Sequence, residues 1–122
     1  MATISKRDET LVIELSALEK SEAMHGDLEI PTAAISSVEV LDDAIHHIHG
    51  LHPSGLKITG TYLPGKMAMG TYLAGLRHRP VFAVIHRDTT RGVRIRLEDW
   101  KFSEVIVGCE DPEALQAEIA GA

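Results

Sequence analysis

The strictest constraint on this chain is the alternation in Gly92-Val93-Arg94-Ile95-Arg96-Leu97-Glu98. Val93, Ile95 and Leu97 fall on one side; Arg94, Arg96 and Glu98 fall on the other. A period of two marks a half-buried antiparallel strand. Glu98 to Lys101 has turn character, and Phe102 to Cys109 returns as a second strand with Val105, Val107 and Cys109 on one face. Asp111 then reads as an N-cap and Pro112 as the first helical residue, with Glu113 at the positive end of the helix dipole. Pro112, Leu115 and Ile119 form one stripe, so helix 111–120 can cover the sheet before it.

The same signals organise the earlier chain. Thr10 to Leu15 reads as a strand with Leu11, Ile13 and Leu15 inward. Ser16 and Glu19 have capping-box spacing, which predicts a short helix ending near His25-Gly26. Leu28-Glu29-Ile30 is a brief strand closed by Pro31, and Ser36 to Leu41 is another, with Val38 and Val40 inward. Asp42-Asp43 caps a helical stretch over Ala44 to His49. From Leu51 to Gly65, prolines and glycines predict an exposed connection holding at most a strand fragment at Leu56-Lys57-Ile58. Lys66 to Leu73 and Arg79 to His86 are two further strands. Within the second, Pro80 to Ile85 is apolar on both faces, which calls for a central position.

About seven antiparallel strands and a closing helix make a mainly β, α+β fold, a bent sheet or partly open barrel capped by its C-terminal helix. This pattern resembles the pleckstrin-homology (PH) superfold. It is similar, more narrowly, to a group of uncharacterised actinobacterial proteins with a bacterial PH-like domain. Leu15-Ser16-Ala17-Leu18-Glu19-Lys20, Ile30-Pro31, Ser37-Val38-Glu39-Val40, Gly70-Thr71-Tyr72, Val107 and Asp111-Pro112-Glu113-Ala114 carry the likeness. The resemblance implies a single PH-like domain over residues 9–122 after a flexible segment 1–8. It implies no activity, because a fold does not fix a function. PH domains that bind phosphoinositides gather basic residues between their first two strands. Here that connection, Ser16 to Asp27, holds Lys20 against Glu19, Glu22 and Asp27, which argues against such binding.

At 122 residues with 44% apolar and 25% charged side chains, the chain is long enough for one core. Cys109 is the single cysteine, so neither an internal disulfide nor a Cys-x-x-Cys metal pair is available. With no signal-peptide pattern at the start and no long apolar run, a cytoplasmic protein without a transmembrane segment is expected. The net charge of −6 disfavours nucleic acid as a partner. Charge is uneven, however: residues 77–96 hold six arginines against Asp88 alone. An anionic ligand or acidic protein surface would meet Arg94 and Arg96, with Arg77, Arg79 and Arg87 as helpers.

Other chemistries have less to stand on. His46 and His49 share a face if 44–49 is helical, and His52 can reach back from the loop, so this cluster, with His47 beside it, is the candidate metal site. Gly60 to Lys66 fits seven positions of a P-loop, but Met67 stands where the magnesium-binding hydroxyl belongs. Cys109 has no local base, and Gly-x-Ser-x-Gly is absent. These residues predict a non-catalytic binding or self-assembly module, with no cofactor and a protein or small anionic ligand as partner. Metal binding through the histidines is the alternative, and an enzyme acting on an anionic substrate is a further one.

Overall fold

The computed structural model describes residues 3–7, 9–16, 26–44, 56–63, 67–74, 79–85 and 91–120. They form β1 (Thr3–Arg7), β2 (Thr10–Glu14), β3 (Leu28–Pro31), β4 (Ile35–Leu41), β5 (Leu56–Leu63), β6 (Met67–Ala74), β7 (Arg79–Ile85), β8 (Gly92–Leu97), β9 (Glu104–Gly108) and helix α1 (Pro112–Ala120). A 3-10 turn, Thr32–Ala34, joins β3 to β4. The protein is mainly β, as the alternation predicts. Among the described residues there are nine strands, where about seven are expected, and they form two sheets: a three-stranded one ordered β1-β2-β3 and a six-stranded one ordered β4-β8-β9-β7-β6-β5.

Two expectations about the N-terminal and middle segments change. Residues 3–7, expected to be flexible, run antiparallel to β2 from Thr3↔Glu14 to Arg7↔Thr10. The Leu51–Gly65 connection contains an eight-residue strand, because β-branched and aromatic residues in Ile58-Thr59-Gly60-Thr61-Tyr62 outweigh the flanking Pro and Gly signals. The all-antiparallel expectation also fails at one place. β7 and β9 pair in parallel from Val81↔Glu104 to Val84↔Val107. Residues 17–25 of the capping-box helix and residues 45–49 of the helix expected over 44–49 lie outside the described residues.

The two sheets share one core. Leu11, Ile13, Leu28 and Ile30 of the small sheet, with Leu15 just after β2, meet Phe82, Val84, Val93, Ile95, Leu97, Val105 and Val107 of the large one. Every second residue on these strands points inward, so the period-two pattern becomes the packing surface. Val81 to Ile85 are buried on both faces of β7, in the central position that their apolar run requires. Helix α1 closes one side. The Asp111 Oδ1 accepts the Ala114 N–H at 3.2 Å, the N-cap bond the sequence predicts, while Pro112 and Ile119 are buried and Leu115 packs on the core.

Local hydrogen bonds fix the ends of the ladders. Asp27 Oδ1 accepts the Leu15 N–H at 2.8 Å at one end of the β2–β3 pair, and the Glu9 carbonyl accepts the Thr32 N–H at 2.9 Å at the other. The parallel pair begins where the Pro80 carbonyl accepts both the N–H and the hydroxyl of Ser103, at 2.8 and 2.9 Å. In the β8–β9 turn, Asp99 adopts φ 53, the left-handed region that short polar side chains tolerate.

Gly92 opens β8 directly opposite Gly108 of β9. A Cβ at position 92 would press into the Val107 carbonyl oxygen and stand 3.0 Å from the Val107 carbonyl carbon. Backbone in the middle of a sheet yields little. Gly92→Ala is therefore expected to cost about 1–3 kcal/mol of stability, as overpacking does. An unchanged urea midpoint for this variant would show that the β8–β9 approach is looser than described.

Candidate functional site

The arginine-rich segment resolves into residues with very different surroundings. Arg94 and Arg96 are two apart on β8, so both project from the face turned away from the core. Arg94 is held there by two carboxylates. Its Nη1 donates to Glu39 Oε1 at 2.8 Å, and its Nε donates to Glu104 Oε1 at 2.8 Å, with Nη2 reaching the same oxygen. Glu39 is its direct cross-strand partner on β4. Glu104 lies on β9 opposite Arg96 and so diagonal to Arg94.

Burial separates the two acids. The Glu104 side chain is 3% exposed, Arg94 18% and Glu39 45%. Glu104 is the one fully buried charged residue among the described residues. Burial by itself would lower the Arg94 pKa; the hydrogen bonds and charges of Glu104, and then of Glu39, outweigh it and raise the guanidinium above its ordinary value. Arg94 thus stays charged and committed to its partners. It has no open fork for an incoming anion.

Arg96 is exposed, opposite Ser37 on β4. A register shift between Ile35 and Ser37 places Ser36 outside the regular pairing, and its hydroxyl donates to the Arg96 carbonyl at 3.1 Å. Arg79 opens β7 opposite Ala74. Arg77 and Arg87 lie outside the described residues, as do His46, His47, His49 and His52. Of the five candidate arginines, the described strands thus place Arg94 and Arg96 side by side on one face and Arg79 at the start of β7.

A second charged group lies around the N-terminal end of α1. Arg91, just before β8, donates through Nη1 to Glu113 Oε1 at 3.1 Å, and its Nη2 reaches Glu113 Oε2 and Asp42 Oδ1, the latter at 3.4 Å. It ties the end of β4 to the first turn of the helix. The hydrogen bond from Arg91 lowers the Glu113 pKa below its ordinary 4.5. A depressed carboxyl contributes stability above its unfolded pKa and loses it as pH falls through the folded value. The fall in melting temperature on acidification below about pH 4.5 should accordingly be shallower for Glu113→Gln than for the native chain. Parallel curves for the two proteins would rule out this linkage.

Neither glutamate partner of Arg94 was signalled by spacing. Glu104 was detectable, in retrospect, as a single acid opening an otherwise apolar strand. No match is found among protein-family models, curated proteins or solved structures. What the arrangement can do must therefore come from its own chemistry. Cys109 is half-buried beside the core, and burial, followed by the charges of Asp111 and Glu113, pushes its thiol up from the ordinary 9.0. A protonated thiol is a poor nucleophile. No described helix is long and apolar enough to cross a membrane, and no group of three His, Cys, Asp or Glu among the described residues is placed to hold a metal.

Proposed function

We infer that this chain is a non-catalytic PH-like module that acts by surface contact with a protein, a second copy of itself included. The observation that supports this reading best is the engagement of Arg94 by Glu39 and Glu104. An anion site at the arginine stripe needs converging, uncommitted donors. Here the half-buried arginine is already matched by two carboxylates, and Arg96 stands exposed on a strand face. An exposed arginine on a sheet surface suits a protein contact, where Arg is enriched. The raised thiol of Cys109 is consistent with a role without covalent catalysis.

The PH-like part of the reading rests on two sheets packed over one core with a C-terminal helix against them, set beside the motifs of the sequence. The parallel β7–β9 pair departs from the all-antiparallel pattern of that superfold. Native mass spectrometry of untagged protein, with phosphate and pyrophosphate titrated by calorimetry, tests the contact role. The expected result is an oligomer or a protein complex, without retained organic or metal mass and without saturable anion binding tighter than about 0.1 mM. A retained metal lost with EDTA, or tight phosphate binding abolished by Arg96→Ala, would replace this reading.

A further inference from the structure

The four sheet edges differ in how they are protected. At the β4 edge, Gln116 of α1 donates through Nε2 to the Val38 carbonyl at 2.9 Å, so the helix occupies an acceptor that an incoming strand would need. β3 is four residues long and ends in Pro31. β1 has five residues and carries Lys6 and Arg7. Short strands, prolines, charges and covering helices are the ordinary devices against edge pairing. β5 is the least protected among the described strands: it is eight residues long, proline-free and terminal in its sheet, and its charge, Lys57, and its register shift both lie before the stretch Thr59 to Leu63.

Charge distinguishes this edge further. The chain carries −6, yet its two outermost strands, Leu56-Lys57-Ile58-Thr59-Gly60-Thr61-Tyr62-Leu63 and Met67 to Ala74, contain one charged residue, Lys57. Two copies meet there with least repulsion. The register of β5 on β6 shifts between Lys57 and Thr59, so Thr59 to Leu63 is its regular stretch, centred on Thr61. An antiparallel pair about a twofold axis at that centre sets position 61 opposite its own copy. Each Lys57 is then eight residues of strand, roughly 26 Å, from the other.

We propose that β5 is the strand through which two copies of this chain pair, antiparallel and centred on Thr61, making one continuous twelve-stranded sheet. This deepens the contact role given above and rests on it. A twofold axis satisfies both open edges at once and stops at the dimer, because the remaining edges are guarded.

Light scattering on the native chain, followed by disulfide trapping of Thr61→Cys and Lys57→Cys, tests the proposal. The expected result is a dimer in which the position-61 variant cross-links under mild oxidation at least about tenfold faster than the position-57 variant, since only opposed Cβ atoms reach disulfide distance. Native protein, whose Cys109 is half-buried, is the control. Amide exchange on the unmodified chain provides a second measurement: protection of residues 59–63 should rise with protein concentration. A monomer at high concentration overturns the proposal. A dimer without trapping at 61 and without that protection overturns the β5 assignment and leaves the contact role standing, whereas a monomer that retains a small molecule removes both.

Discussion

Arg94→Met should lower the stability of this protein by about 3–5 kcal/mol, the usual result of breaking a buried ion pair from one side. The substitution leaves Glu104, 3% exposed, as a carboxylate without the guanidinium that holds it. Glu104→Leu is expected to cost less, about 1–3 kcal/mol, because Arg94 keeps Glu39 and its outer part reaches water. The double variant should recover most of the loss, since replacing both partners removes the unmet charge along with the pair. Urea unfolding of the three variants measures this directly. Additive single and double effects would mean that the two side chains are not coupled and that the contact is incidental.

Phe82→Ala is the second large effect, again about 3–5 kcal/mol. The chain has two phenylalanines, and they meet: the Phe82 and Phe102 rings lie 5.4 Å apart, tilted by 41°. Phe82 is wholly buried on β7, where its ring also belongs to the core shared with the small sheet. In a close-packed core the neighbours relax only partly, so most of the space left by the ring stays empty. Phe82→Leu should cost only about 1 kcal/mol, as a swap that keeps most of the volume. Equal losses for the two variants would point to a strict shape requirement instead of a cavity.

The last third was the most legible part of the chain because its signals are local. Alternation from Val93 to Leu97 and the cap at Asp111-Pro112 need no distant partner to be read, and the structure places both as the pattern demands. The central position of Val81 to Ile85 was legible for a related reason: a strand apolar on both faces must be covered on both. What spacing left hidden is pairing at a distance. Nothing near β7 states that it runs parallel to β9, since strand direction depends on which edge the chain returns to. The commitment of Arg94 was hidden likewise, because Glu39 is 55 residues away from it in sequence and becomes adjacent only through β4–β8 pairing. β5 is hard to read in the sequence because proline and glycine flank the β-branched residues inside it.

The position of β9 sets an order on how this protein is made. β9 lies between β7 and β8, although both precede it in the chain. A ribosome therefore releases the two outer neighbours first, and the gap between them, roughly 10 Å wide, waits for the strand that fills it. Until residues 104–108 emerge, β7 has the apolar run Val81-Phe82-Ala83-Val84-Ile85 along an unpaired edge. Such edges invite pairing with other nascent chains. The large sheet is thus completed by insertion instead of growth from one side, and a chain stopped before residue 104 leaves the middle of the sheet, not its margin, at risk.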